Sequence, residues 1–171
     1  MNIFLNNYGK NALSISQILK NPTLFLAFGF GFGLVKKAPG TFGTIAAIPV
    51  YLLFAQTPFW FYSALTIIAT LVGIKICDDA AKLLGEHDFN GIVWDEIAGY
   101  LITMWFVPFS WQAVLIGFAL FRFFDILKPF PIKWIDKHVE GGFGIMLDDV
   151  LAGIFAGGIL LLLSRFNLLS L

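Results

Sequence analysis

Five long apolar runs, separated by turns that contain proline or charged residues, most strongly limit what this chain can fold into. The runs occupy residues 44–55, 59–76, 97–107, 111–127 and 150–164. A helix needs about 20 apolar residues to cross the hydrocarbon core of a bilayer, and several of these runs are shorter. Because 58% of the 171 residues are hydrophobic and only 13% are charged, against about 25% in soluble domains, the sequence predicts an integral membrane protein.

We therefore expect an all-α fold: a membrane-embedded helical bundle of about four to five apolar helices with short interfacial helices. A bundle sunk into one leaflet is also compatible with the short runs. Residues 1–20 form a polar N-terminal segment without the apolar core of a signal peptide, and residues 21–171 form one helical domain. Asn21 and Pro22 predict the first helix start, since asparagine caps helix N-termini and proline suits the first helical position.

Charge balance and cysteine content exclude several functions. The 11 basic and 11 acidic residues give a formal charge of zero, so the chain lacks the basic excess of a nucleic-acid-binding protein. Its single cysteine, Cys77, cannot form an internal disulfide or a CxxC motif. The two histidines, His87 and His138, are isolated in sequence and do not supply the paired histidines of a histidine-dependent acid phosphatase.

The charged residues fall on one side if the chain crosses the membrane with each apolar run. The turns at residues 56–58 and 107–111 contain no charged residue, whereas the acids lie at the opposite turns together with most of the lysines. By the positive-inside rule, the charged side is predicted to be cytoplasmic.

Two pairs of adjacent acids begin apolar runs in the same sequence context. GIVWDEIAG contains Asp95 and Glu96, and GIMLDDVLAG contains Asp148 and Asp149. A charge inside the bilayer costs roughly 2.5–3.5 kcal/mol on insertion scales, so these acids need water, a basic partner or a bound cation. A solvated helix cap is the simpler alternative for either pair. Since carboxylate oxygens without cysteine favour hard ions, the pattern predicts a Mg²⁺ site.

The connecting segments contain candidate phosphate-binding groups. PGTFG at residues 39–43 places a glycine-rich turn before an apolar run, where free backbone N–H groups can bind a phosphate, although such a sequence is often only a turn. Arg122 and Asp125 share a helix face, either as a structural ion pair or as a phosphate-binding arginine held by an aspartate. The candidate phosphate-binding residues are Gly40, Thr41, Gly43, Arg122 and Lys128.

Together these features favour metal-dependent hydrolysis of a phosphate ester. We expect carboxylates of both acid pairs to hold Mg²⁺ and one carboxylate to activate water for in-line attack. An aspartyl-phosphate intermediate is the alternative. The candidate catalytic residues are Asp95, Glu96, Asp125, Asp148 and Asp149, and among them the candidate metal ligands are Asp95, Glu96 and Asp149.

A small transporter or channel is the competing class of protein. It would use the clustered carboxylates to bind a cation or a proton, and would need ionisable groups near the middle of the membrane. Here the acids lie at one end of the apolar runs, which favours an enzyme that acts on a lipid headgroup.

Four sequence blocks resemble, in order and spacing, the bacterial phosphatidylglycerophosphatase A family. The blocks are FGFGLVKKAPGTFGTIAAIP, GIVWDEIAG, FRFFDILKPFPIKWID and GGFGIMLDDVLAG, and the likeness extends from Phe28 to Ile159. The resemblance implies a Mg²⁺-dependent phosphatase of the inner membrane that converts phosphatidylglycerophosphate to phosphatidylglycerol and phosphate on the cytoplasmic face. It also implies functional roles for Thr41, Asp88, Asp95, Glu96, Asp125, Lys128, Asp148 and Asp149, and it adds Asp88 to the candidate metal ligands.

Overall fold

Every regular element is a helix in the part of the chain that the computed structural model describes, residues 8–87, 89–166 and 168. The predicted all-α fold is thereby confirmed. The elements are α1 (Ile15–Lys20), α2 (Pro22–Ala27), a 3₁₀ segment (Gly29–Leu34), α3 (Pro39–Phe54), α4 (Phe59–Leu84), α5 (Trp94–Thr103), α6 (Trp111–Leu127), α7 (Ile132–His138) and α8 (Gly141–Arg165).

The two short N-terminal helices start at capping residues. Ser14 and Gln17 form a reciprocal capping box at α1. The Asn21 side chain accepts hydrogen bonds from the backbone N–H groups of Thr23 and Leu24, so the start predicted at Asn21 is confirmed. Both helices bury apolar side chains in a cluster with the end of α4.

Two of the apolar helices are long enough to cross a membrane. α4 has 26 residues and α8 has 25, whereas α3 has 16 and α5 has 10. Large side chains on α4 face outward without protein cover, including Leu71 at 62% and Ile68 at 58% exposure. Such a surface requires an apolar surrounding, and the chain is a membrane protein.

Helix α8 starts earlier than its apolar run suggests. The run begins at residue 150, but α8 begins at Gly141, so Asp148 and Asp149 lie about two turns inside the helix rather than at its mouth. The glycines of GGFG serve close packing here. A β-carbon on Gly142 would lie 2.0 Å from the carbonyl oxygen of Ile74 on α4, so glycine at this position allows α8 to pack closely against α4.

Helix α5 lies at the centre of the bundle and packs against α3, α4, α6 and α8. Its contact with α8 depends on two glycines: a β-carbon on Gly153 would lie 2.4 Å from the carbonyl oxygen of Gly99. Small residues allow helix backbones in a membrane to approach this closely. The contact sets α5 and α8 side by side and brings their acid pairs together.

Candidate metal and phosphate site

One acid of α8 meets both acids of α5. Asp95 and Glu96 lie in the first turn of α5, and a carboxylate oxygen from each lies within 4.8 Å of one from Asp149. Asp149 is only 3% exposed. Three carboxylates this close repel one another when all are ionised, so the cluster requires a compensating positive charge.

The same three residues fit a divalent cation. Asp95 Oδ1 and Glu96 Oε2 are buried and have no hydrogen-bond partner among the described residues, although a buried polar atom is normally paired. Three carboxylates supply the hard oxygen ligands that Mg²⁺ and Ca²⁺ prefer. The cluster can therefore bind a metal ion, and the unpaired oxygens are the atoms available to it.

Asp148 is held by a lysine side chain and by the backbone of α8. Its Oδ2 accepts a hydrogen bond from Lys128 Nζ at 2.6 Å, and its Oδ1 accepts one from the backbone N–H of Asp149 at 3.1 Å. Lys128 Nζ also contacts Asp136 Oδ1. Burial lowers the pKa of Lys128, but the two carboxylates raise it by more, so the net pKa lies above the ordinary value for lysine. Lys128 is thus a permanent cation at neutral pH.

Arg122 is the second cation of the site. Its Nη1 forms an ion pair with Asp125, as the three-residue spacing on α6 predicts, and lies 3.9 Å from Glu96 Oε1. Its Nε is buried and unpaired within the described part of the chain. A buried guanidinium with a free donor can bind a phosphate oxygen.

The N-terminus of α3 closes the site beside Arg122. Ala38 precedes the helix in a left-handed conformation, with φ of 50°. A β-carbon on Gly40 would lie 2.2 Å from Glu96 Oε1 and 3.0 Å from Arg122 Nη1, so the Gly40 backbone contacts both groups. Gly43 instead packs on Val93, where a β-carbon would lie 2.6 Å from the Val93 β-carbon.

These groups line a cavity of about 310 Å³. Thr41 and Gly43 are not among the residues that line it, and Asp88 lies outside the described residues. Three polar residues of the lining were not among the site residues predicted from the sequence: Asp136, His87 and Asn90. Asp136 was detectable only as an acid among the lysines that follow α6. The sequence-predicted residues that line the cavity are Gly40, Asp95, Glu96, Arg122, Asp125, Lys128, Asp148 and Asp149.

Fold and site together define a helical membrane protein with an acidic metal-type cluster between an arginine and a lysine. The sequence profile of one family, Phosphatidylglycerophosphatase A, matches residues 25–164. The chain therefore belongs to the phosphatidylglycerophosphatase A family, and the resemblance found in its sequence blocks is confirmed.

Two bacterial relatives support this assignment. A protein of Escherichia coli strain K12 named phosphatidylglycerophosphatase A is 45% identical over 143 residues, which is 83% of each chain. A protein of Haemophilus influenzae with the same name is 47% identical over 140 residues, covering 81% of this chain and 86% of the relative. No solved structure matches the chain.

Proposed function

We propose that this protein hydrolyses the terminal phosphomonoester of phosphatidylglycerophosphate, giving phosphatidylglycerol and inorganic phosphate. The family assignment and the names of both relatives support this reaction, and with it the predicted class of phosphoric monoester hydrolase. One observation carries the proposal: Asp95, Glu96 and Asp149 converge in a cavity that also contains Arg122.

Mg²⁺ is the metal that we assign to this cavity, with Asp95, Glu96 and Asp149 as its ligands. The unpaired oxygens of Asp95 and Glu96 and the all-carboxylate donor set support the assignment. When bound, such an ion stabilises the negative charge that develops on the phosphoryl group and makes water more acidic.

The groups of the chain have separate tasks in this reaction. Arg122 and the backbone N–H group of Gly40 bind the non-bridging phosphate oxygens, because both residues line the cavity beside the acidic cluster. A carboxylate of the cluster orients the attacking water and accepts its proton. Attack forms a phosphorus–oxygen bond and breaks the ester bond, and the glycerol oxygen leaves with a proton as a hydroxyl group.

We place the protein in the bacterial inner membrane with this cavity facing the cytoplasm. The lysines that lie on the same side of the apolar runs as the acids, and the uncharged turns at residues 56–58 and 107–111, support this orientation through the positive-inside rule. A single cysteine introduced at Lys37 (K37C) in a Cys77→Ala background should react with an impermeant thiol reagent only in inverted vesicles. Reaction in intact spheroplasts would indicate the opposite orientation, with the cavity outside the cytoplasm.

Phosphate release from phosphatidylglycerophosphate tests the function directly. Purified protein in detergent should release phosphate with Mg²⁺ but not with EDTA, and Asp95→Asn and Asp149→Asn should each lose at least about 100-fold in kcat. Asp79→Asn is the matched control, since Asp79 is an exposed acid paired with Lys75 outside the cavity. Full activity in EDTA or in both cavity variants would refute the metal site. An inert wild type would instead favour the transporter alternative, to be tested by cation flux in proteoliposomes.

A further inference from the structure

We propose that Asp136 is a positioning residue for this reaction: through the ammonium group of Lys128 it fixes the carboxylate of Asp148, and so the backbone at Asp149. The inference rests on the proposed function, since Asp149 belongs to the proposed metal-binding cluster. Neither the sequence blocks nor the relatives' names assign a role to Asp136.

One ammonium group connects three helices. Lys128 follows the last residue of α6 in a left-handed conformation, with φ of 42°, and its backbone N–H donates to the carbonyl oxygen of Phe124 at 2.8 Å. This conformation directs the side chain to both α7 and α8, where Nζ contacts Asp136 and, at 2.6 Å, Asp148. The end of α6 is therefore fixed to both helices by a single cation.

The charge of Lys128 is already balanced by these contacts. Two carboxylates surround one ammonium group, so the local net charge is negative rather than positive. The two carboxylates use two of the three N–H donors of Lys128 and repel any phosphate that approaches the third, whereas Arg122 keeps a buried Nε without a partner in the described part of the chain. The geometry thus assigns Lys128 to holding the carboxylates and leaves phosphate binding to Arg122.

The Asp148 carboxylate connects Lys128 to the backbone of Asp149, a residue of the metal-binding cluster. Because Oδ2 accepts from Lys128 and Oδ1 accepts from the backbone N–H of Asp149, both oxygens are engaged and the carboxylate cannot rotate freely. The carbonyl oxygen of Asp149 in turn lies against Gly99, where a β-carbon would be 2.8 Å away. A change in the Asp148 carboxylate therefore reaches the residue that contributes to the cluster.

Asp136 can hold Lys128 in place because α7, the helix that contains Asp136, packs against the core of the bundle. Ile132, in the first turn of α7, is fully buried in the main apolar cluster. Asp136 lies one turn further along, on the side that faces Lys128. With Asp136 neutralised, Lys128 keeps only Asp148 as a partner and its long side chain gains freedom, which loosens the geometry at Asp149.

Kinetics and metal binding of four variants test the inference: Asp136→Asn, Asp136→Glu, Lys128→Met and the double variant Asp136→Asn with Lys128→Met. We expect Asp136→Asn to lower kcat about tenfold, with little change in KM, and to weaken the Mg²⁺-dependent rise in melting temperature. Asp136→Glu should restore most of both. In the Lys128→Met background, Asp136→Asn should have no further effect, because Asp136 acts only through Lys128. Asp79→Asn controls for loss of a lysine-paired acid elsewhere.

Two results would overturn the inference. One is a normal kcat and a normal response to Mg²⁺ in Asp136→Asn. The other is an equal loss from Asp136→Asn in the wild-type and Lys128→Met backgrounds, which would show an independent role in packing. Metal binding separates this inference from the proposed function. If the wild type binds Mg²⁺ and Asp136→Asn weakens that binding, the positioning role of Asp136 is supported even if the protein does not hydrolyse the lipid. If the wild type hydrolyses the lipid and Asp136→Asn has the same kcat and the same response to Mg²⁺, the positioning role is refuted and the proposed function is not.

Discussion

The backbone of Gly40 lies against the carboxylate of Glu96: a β-carbon on Gly40 would be 2.2 Å from Glu96 Oε1. The same β-carbon would be 3.0 Å from Arg122 Nη1. The first turn of α3, an acid of the cluster and the Arg122 guanidinium therefore form one continuous wall of the cavity. A side chain at residue 40 has no space unless that wall moves.

Gly40→Ala should inactivate the enzyme more than it destabilises the fold. The methyl group must displace the Glu96 carboxylate or Arg122, and small displacements of reacting groups have large effects on rate. We expect kcat/KM to fall about tenfold or more, which corresponds to ~1.4 kcal/mol in the activation free energy.

Gly158→Ala is the matched control for this substitution. It is also a glycine-to-alanine change in an apolar helix, but a β-carbon there meets no atom within 4 Å. It should keep full activity and show equal or higher stability, since alanine favours helix over glycine by roughly 0.5–1 kcal/mol. Equal activity in Gly40→Ala and Gly158→Ala would contradict the close contact at Glu96.

Asp149→Asn should stabilise the metal-free protein while removing its response to Mg²⁺. In the absence of a cation, the substitution relieves repulsion from Asp95 and Glu96, so the melting temperature in EDTA should rise. A gain of about 1 kcal/mol would raise it by roughly 2–4 °C in a chain of this size. Adding Mg²⁺ should then raise the melting temperature of the wild type but not of the variant.

Thermal unfolding in detergent, followed with and without Mg²⁺, measures both effects. Asp79→Asn serves again as control, because an exposed helix pair such as Lys75–Asp79 contributes only about 0.3–0.5 kcal/mol and lies outside the cavity. Its response to Mg²⁺ should equal that of the wild type. A less stable Asp149→Asn protein that still responds to Mg²⁺ would show that the cluster holds no metal.

The sequence was sufficient to predict that the two acid pairs meet, because this prediction needed only the direction of each helix. Asp95 and Asp149 both lie toward the charged ends of their apolar segments, and neighbouring helices place such ends together. The pairing of Arg122 with Asp125 was likewise predictable, since residues three apart share a helix face.

Which acid of an adjacent pair faces the cluster could not be predicted from the sequence. Neighbouring residues on a helix point about 100° apart, so the one that faces the cluster depends on the rotation of the helix. The contact between Gly99 and Gly153 sets that rotation, turning Asp149 toward α5 and Asp148 toward Lys128. Since this contact is tertiary, no local pattern encodes it. The role of Asp136 depends on the same information.

Arg122→Lys should keep the fold but weaken substrate binding. Lysine preserves a positive charge between Asp125 and Glu96, so the buried acids stay compensated. It lacks the planar fork and the Nε donor that lies unpaired beside the cavity within the described chain. We expect KM for phosphatidylglycerophosphate to rise about tenfold, consistent with ~1.4 kcal/mol for a lost charge-assisted hydrogen bond.

Steady-state kinetics over a range of lipid concentrations would show this change, with Arg165→Lys at the exposed end of α8 as control. Arg122→Gln provides a second comparison, because removing the cation leaves buried carboxylates uncompensated and should cost about 3–5 kcal/mol in stability. A wild-type KM in Arg122→Lys would assign phosphate binding to other donors.

Tyr62→Phe should reduce stability without affecting catalysis. The buried Tyr62 hydroxyl donates to the carbonyl oxygen of Leu101 at 2.7 Å. This carbonyl lies in the last turn of α5, where carbonyls lack partners within the helix, so its loss should cost about 1–3 kcal/mol in the free energy of unfolding. The bond lies about 9 Å along α5 from Asp95, so kcat should not change.

Unfolding by SDS in mixed micelles, together with kcat, would separate the two effects. Tyr51→Phe is a close control: its ring packs edge-to-face against Tyr62 at 6.1 Å, and the Leu101 carbonyl oxygen is bonded by the Tyr62 hydroxyl instead. Because Tyr51→Phe removes the same atom and leaves the Leu101 carbonyl paired, it should unfold closer to wild type than Tyr62→Phe. Equal losses in the two variants would mean that burial of the hydroxyl, rather than its bond to α5, determines the stability of this end of the bundle.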